Sequence, residues 1–481
     1  MKFLDFYIEK LDLEKSYKKA ISDQFYFIYD KDVQNYLKEN NIDYRIAPNY
    51  DDFISLSKET HNIFLTFDIL KNEPYFKLVK KKLSVVTLDE KGLPFEIQPK
   101  ILQENSLENI RQIIKYNINH NNEFTFINEN NLDELTKRCR YEELTISKVQ
   151  LEKEISRISS NINKFDDVIE IGEKHGRLVH ISYLLDNDIK NDLLENMDSN
   201  VKNFVLASGL TNSFYYPAND FKTVDKIISY INKTKPEKFA LVCFDGMGVA
   251  EWLLLKSIFS KHNLDTIEKY IFSLIPTTTK ISRAAIFSGQ YESIYNGINI
   301  NENKTFENQF PHLEVKSFSE GKIKSSDDLL GLDAIKLVYN IFDDCAHGAV
   351  ISANNKNKFN YFKSVKNYLE KSTIIDELLL LKENGYKIFI CSDHGTVVAE
   401  GNGQKVDKYL IEESCKRGVV VSGTNLLDKY DLDKYEIPFM KGKYALLAPN
   451  RHSFSYKGKL DITHGGITVD ELIVPFAEVT N

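Results

Sequence analysis

The sequence predicts an α/β protein: a mostly parallel sheet sandwiched by helices in the carboxy-terminal half, preceded by a small amino-terminal α/β domain and a helical connector. Three observations carry this prediction. Between about 236 and 481, the short apolar runs FALVCF, LVYNIF, KIFIC and YALLAP alternate with helical stretches, as strands buried on both faces do. Gln24 to Glu90 shows the same alternation on a smaller scale. From about 101 to 205 the apolar spacing follows the helical period instead. The expected domains are 1–100, 101–235 and 236–481.

In chain order, a short charged helix (about 4–20) precedes the strand FYFIY, which ends at Asp30. The helix KDVQNYLKENN, the strand DYRIA, the helix DDFISLSKE and the strands NIFLTF and LSVVTL complete a small parallel sheet. LENIRQIIKYNI and ISKVQLEKEISRISSNI read as helices. The polar stretch YYPANDFKTVDKIISYINKTKPEK then leads into the last domain. There AEWLLLKSIFSKH and SVKNYLEKSTIIDELLLLKENG are helical separators, and the polar stretch from Gly289 to about Leu330 reads as an insertion or cap (about 290–330).

A chain of 481 residues is too long for one hydrophobic core. Its 42% apolar and 12% aromatic content is that of a folded globular protein. A formal charge of −8 gives no bulk attraction for DNA or anionic membranes. MKFLDFYIEKLDLEK does not read as a signal peptide, and no run approaches a membrane span. Cys139, Cys243, Cys345, Cys391 and Cys415 are odd in number and form no CxxC pair, which points to a reducing cytoplasm, and the lack of an apolar span leads to the expectation of no membrane association. Lys77, Lys80, Lys81 and Lys82 form the densest basic cluster, a solvated helix face or a nucleic-acid contact.

Potential metal ligands fall at the ends of the apolar runs. FALVCF ends at Asp245, LVYNIF at Asp343, and KIFICS at Asp393-His394. In an open α/β sheet the carboxyl ends of parallel strands share one edge, where ligands bind, so residues far apart in sequence can meet there. His347 lies four residues after Asp343, and His464 sits in THGG, whose glycines permit a sharp turn. Taken singly each has an ordinary explanation. An Asp after a strand often caps a helix, Asp343 and His347 could be a surface helical pair, and Thr277 and Thr278 suit a turn and cap. Together, three carboxylates and three imidazoles suit two zinc ions, with manganese as the alternative. A hydroxyl between the ions, from the turn Pro276-Thr277-Thr278-Thr279, would be a metal-activated nucleophile.

The order DGMG, PTTT…SG, D-x-x-x-H, DHG and HGG resembles the alkaline phosphatase superfamily. Within it, PTTTKISRAAIFSG and THGGITVDELIVPFAEV resemble the PglZ domain of BREX-type phage-defence systems and of some response regulators. The resemblance covers about 236–481 and implies an alkaline-phosphatase-like fold. It assigns Asp245, Asp393 and His394 to one zinc ion and Asp343, His347 and His464 to the other, Asp344 being the neighbour if the register slips by one. Counting ten residues back from Gly289 places the nucleophile at Thr279.

The function implied is a zinc-dependent phosphodiesterase or nuclease acting on oligonucleotides or nucleotide second messengers. It would pass through a phosphothreonine, with other phage-defence proteins as partners and a homodimer allowed. Two zinc ions against three aspartates leave one positive charge, which suits a phosphodiester. Arg283, one helical turn after Thr279, is either a substrate-phosphate clamp or a structural salt bridge. His452 could approach the same edge. A phosphomonoesterase or phosphate mutase on the same core, and a zinc-stabilised scaffold without catalysis, are the competing readings. A sulfatase is disfavoured because Cys/Ser-x-Pro-x-Arg is missing from the nucleophile region.

Overall fold

The computed structural model describes residues 107–208, 220–290, 300–349, 358–404, 413–423, 432–438 and 440–480, with short stretches between 25 and 101. Residues 1–143 and 144–481 form two compact units. In the first, β1 (Phe25–Ile28), β2 (Arg45–Ala47), β3 (Ile63–Thr66) and β4 (Ser84–Val86) make a four-stranded sheet in the order β2-β3-β1-β4. All its pairings are parallel, as the alternating pattern predicts. The helices expected between these strands, the first charged helix and the Lys77–Lys82 cluster lie outside the described residues, apart from helical positions at Lys38 and Asp52. β5 (Glu96–Ile97) pairs with β6 (Phe126–Ile127) around α1 (Leu107–Asn119). Ile110, Ile113, Ile114 and Ile118 are buried on one face of α1, the i, i+3, i+4, i+8 stripe of an amphipathic helix.

The unit boundary falls within the long α2 (Glu129–Ser159). In the second unit, α3 (Phe165–Leu185), α4 (Asn191–Ser208) and α5 (Ile227–Thr234) lead to β7 (Phe239–Phe244). Then follow α6 (Val249–Phe259), β8 (Thr266–Phe272), α7 (Thr279–Ser288), α8 (Glu302–Gln309), β9 (Val315–Ser319) and β10 (Ala334–Tyr339). α9 (Ile341–Gly348), α10 (Phe359–Leu369), α11 (Ile374–Glu383) and β11 (Lys387–Ser392) come next. β12 (Val397–Gly401), β13 (Glu413–Ser414), β14 (Gly418–Ser422), β15 (Asp433–Glu436), β16 (Lys443–Leu447), β17 (His452–Ser453), β18 (Leu460–Thr463), α12 (Val469–Leu472) and β19 (Ile473–Val479) finish the chain.

The central six-stranded sheet has the order β8-β19-β11-β7-β10-β9. β11-β7-β10-β9 pair in parallel, and only β19 runs against its neighbours. Every residue of β7 is buried, because helices cover both faces of a parallel sheet. α6 supplies Trp252, Leu255 and Phe259, each fully buried, to the shared core, and α3 supplies Val168, Ile171 and Leu178. Burying each such side chain contributes about 1.5–3 kcal/mol.

Four details differ from the sequence reading. LVYNIF is not one strand: β10 ends at Tyr339, and Ile341, Phe342 and Asp343 already belong to α9. An unbroken apolar run reports burial, which strand and helix share here. YALLAP is not a central parallel strand, since β16 lies in a separate antiparallel sheet of order β13-β14-β16-β15. The polar stretch after Gly289 contributes α8 and the edge strand β9. The long helical stretch 364–385 is two helices, broken between Leu369 and Ile374. Among the described residues no helix is long and apolar enough to cross a membrane, and all five cysteines are free.

Candidate metal centre and nucleophile

β7 and β11 lie side by side in register, so Asp245 and Asp393 leave adjacent strands at the same edge. Gly246 turns the chain at once. Its φ of +77° is the left-handed region that favours glycine, and a Cβ there would stand 3.2 Å from the backbone nitrogen of Asp343. That tight turn lets Asp343 N donate to Asp245 O at 3.3 Å, which brings α9 against the end of β7. Asp393 Oδ1 accepts from Gly246 N at 3.2 Å and from His394 N at 3.0 Å. Ser392 Oγ accepts from Met247 N and donates to His394 O, closing the frame. Among the described residues, Asp245, Asp393 and His394 place three ligand atoms within 4.8 Å of one another.

Thr279 opens α7. Its Oγ1 lies 2.9 Å from His394 Nε2 and 3.2 Å from Asp245 Oδ1. Of the three threonines it alone faces this cluster. Thr277 Oγ1 instead donates to Gly466 O at 3.1 Å and accepts from Gly465 N at 3.0 Å, which clips the HGG loop in place. Thr278 is the residue before α7, yet its side chain makes no cap hydrogen bond.

Asp343 faces both remaining imidazoles, with Oδ2 3.1 Å from His347 Nε2 and Oδ1 3.8 Å from His464 Nε2. Asp344, the alternative register, is exposed. The rings of His394 and His464 stack at 3.9 Å between centroids, so the two clusters are neighbours.

The protonation pattern says what these groups are arranged to hold. His394 Nδ1 lies 3.1 Å from Gly395 O, and His464 Nδ1 lies 2.9 Å from Thr277 O. A carbonyl oxygen only accepts, so each ring carries a proton on Nδ1 and turns its Nε2 inward. Burial and the neighbouring His394 push the His464 imidazole down to about 4, which keeps it neutral near pH 7. The inward Nε2 of His394 lies 3.4 Å from Asp245 Oδ1. Asp393 Oδ2 and Asp343 Oδ1 are buried without a hydrogen-bond partner. Burial and the adjacent Asp245 charge hold the Asp393 carboxyl well above the usual carboxylate range. Each orphaned carboxylate oxygen lies within 4 Å of an inward imidazole Nε2, Asp393 Oδ2 at 3.9 Å from His394 and Asp343 Oδ1 at 3.8 Å from His464. This donor set fits divalent cations, and imidazoles fixed by carbonyl bonds are the usual supports of such ligands.

Arg283 does not stand open to the groove. Its Nη1 donates to Asp245 Oδ2 at 2.6 Å and its Nε to Glu302 at 3.0 Å; burial lowers its pKa, but the charges of Asp393, Glu302 and Asp245 more than offset this and raise it further. Asp245 is thereby shared, Oδ1 toward Thr279 and Oδ2 toward Arg283. His452 is exposed and lies elsewhere, with Nδ1 3.1 Å from Pro449 O.

Several supporting residues escaped the sequence reading. Ser273 Oγ donates to Asp393 O at 2.5 Å and pairs with Ser282 on α7, tying the nucleophile helix to the ligand strand. Glu471 accepts from Gly466 N at 2.8 Å and from Arg417 Nε at 2.8 Å, a fully buried pair behind the HGG loop. The Thr468–Glu471 capping box was legible as T-x-x-E. Arg417 carried no local signal.

A profile of the BREX system PglZ alkaline phosphatase-like domain matches residues 224–479. Among solved structures, the human ectonucleotide pyrophosphatase/phosphodiesterase 5 is similar at 14% identity, covering 50% of this chain and 87% of that one, with a TM-score of 0.34. Its murine counterpart gives the same values. Both are too distant to bear on the chemistry. No curated protein matches the chain at a significant level.

Proposed function

The chain belongs to the PglZ family of alkaline phosphatase-like domains, and on that footing we propose that it is a phosphoester hydrolase with Thr279 as nucleophile, acting on phosphodiesters of nucleotides or oligonucleotides. The observation that carries this is the position of Thr279 Oγ1, within hydrogen-bond reach of both His394 Nε2 and Asp245 Oδ1. Asp245, Asp393 and His394 would hold one divalent ion, and Asp343, His347 and His464 a second. Zinc suits the imidazole share, and manganese is the alternative. When bound, such ions lower the pKa of a nearby hydroxyl and offset charge at phosphorus.

The chain's own residues do the rest. Thr279 Oγ1 donates to Asp245 Oδ1 at 3.2 Å, which orients the hydroxyl, and its proton passes to water. The Thr279 oxygen bonds to phosphorus as the bond to the leaving oxygen breaks, and that oxygen takes a proton from water. Water then opens the phosphothreonine and restores the hydroxyl. The Thr279 side chain stands at the first turn of α7, where the helix dipole favours the anionic substrate.

Arg283 supports the diester over the monoester. With its guanidinium already on Asp245 and Glu302, it braces a ligand and is not itself free to meet the second charge of a dianion. The BREX designation of the family supports a place among phage-defence proteins.

The test is hydrolysis of bis-(p-nitrophenyl) phosphate with zinc or manganese, beside p-nitrophenyl phosphate. We expect faster turnover of the diester, lost with chelator and lost in Thr279→Ala. Turnover that survives both treatments would falsify the assignment.

A further inference from the structure

A cavity of about 1090 Å³ opens in the second unit between α3, α4, the start of α10 and the strands β12 and β18. None of its lining residues is a candidate metal ligand or the nucleophile. We propose that this cavity binds a small linear organic cation, a polyamine, with its inner amino group at Asp198 and Asp470 and its chain along Tyr183, Phe359 and Phe362.

The inner end brings two buried carboxyl groups to one guanidinium: Arg451 bonds Asp198 at 2.7 Å and Asp470 at 2.7 Å. The other lining cations are committed elsewhere: Lys358 to Glu251 at 2.8 Å, and Lys190 to Glu152 at 3.0 Å. Burial pushes the Asp198 carboxyl up, while Arg451 holds Asp470 well below the usual carboxylate range despite its burial, so Asp198 is the group that a second cation would ionise.

Polar groups at the same place also want a partner. His175 is 2% exposed and its Nδ1 has no hydrogen-bond partner, while its Nε2 lies 3.1 Å from Asp470. Ser182 is 5% exposed, about two turns further along α3, and its Oγ is likewise unpartnered. Both line the cavity, and both can accept from an ammonium group.

The middle of the cavity is aromatic. The Tyr183 ring lies 5.6 Å from Phe359 and 5.1 Å from Phe362. Aromatic faces attract ammonium groups and cover the methylene chain between them. At the mouth, Asp188 and Glu195 are exposed and suit a second amino group. Buried and exposed carboxyl groups in one lining, with aromatic rings beside them, match a cation that carries more than one charge and reject an anion.

The experiment is isothermal titration of the full chain with spermidine, beside octane-1,8-diol as a neutral chain of similar length. Saturable binding of spermidine and none of the diol is expected. Tyr183→Leu should weaken it about tenfold. Glu195→Gln, at an exposed position that leaves the core untouched, should weaken it about threefold. Equal binding of the diol, no saturable heat with spermidine, or an unchanged affinity in folded Glu195→Gln overturns the proposal. None of these readouts depends on hydrolysis.

Discussion

The two halves of the candidate metal centre are built by different means. Asp245, Asp393 and His394 stand at the ends of two central strands, inside a frame of backbone hydrogen bonds, with Asp393 and His394 fully buried. Asp343 and His347 ride on the eight-residue α9, where the His347 side chain is 52% exposed, and His464 sits in a glycine loop. Core packing settles the first set before any ion arrives. The second set contains a side chain whose rotamer must be ordered on binding, at a cost of about 0.5–1.5 kcal/mol. Strand ends thus give pre-organised ligands, and a short helix gives adjustable ones.

The largest expected effect lies between the halves. Thr279→Ala should lower diester turnover by about 10³-fold or more while both halves keep their metal, read by steady-state rates beside metal content. Loss of metal in that variant would make Thr279 a structural residue. Next, Asp393→Asn should weaken metal binding at the buried half by more than about 100-fold, beyond what is typical when only an outer partner is lost. An affinity close to that of the parent would show that the buried half does not lead. His347→Ala should weaken one of two binding steps by about 10–100-fold and leave the other alone. A two-site titration in which both steps move together would merge the halves into one.

The smallest effect is in pH. Burial and Asp245 raise the Asp393 carboxyl, so the metal-free protein holds a proton there that an ion must displace. Affinity at the buried half should therefore rise with pH, by up to about tenfold per unit below that raised value. His464, lowered to about 4, is neutral from pH 5 to 8 and adds no such slope to the other half. Titrations in buffers of different ionisation heat would count the released proton, and a pH-independent affinity would remove Asp393 from the ligand set. The same linkage gives the sign for stability. A carboxyl raised on folding stabilises the metal-free fold at low pH, and that contribution is lost as pH rises from the usual carboxylate range to the raised value.

How far the sequence revealed this site follows from what each segment had to do. FALVCF and KIFICS are buried along nearly their whole length, so composition alone marked both strands and their ends at Asp245 and Asp393. The four amino-terminal strands were legible from the alternation of short apolar runs with helical stretches. LVYNIF misled because Tyr339 and Phe342 are equally buried on either side of the strand-to-helix switch at Asn340. YALLAP misled because apolar content does not encode strand direction. Thr279 was found through family spacing, and nothing local separated it from Thr277, whose clip on the HGG loop is visible only in space. Arg283 was left between two roles, and only the position of Glu302 shows which partners its guanidinium has taken.

The contact between Asp343 N and Asp245 O joins the two halves through main chain, not side chain. The span separating any pair of ions held there is therefore gauged by peptide geometry, and point substitutions around the rim have little purchase on it. A swap of ion for one of larger radius has to be absorbed by rotation of the carboxylates and imidazoles, His347 foremost, while the ruler itself stays the same length.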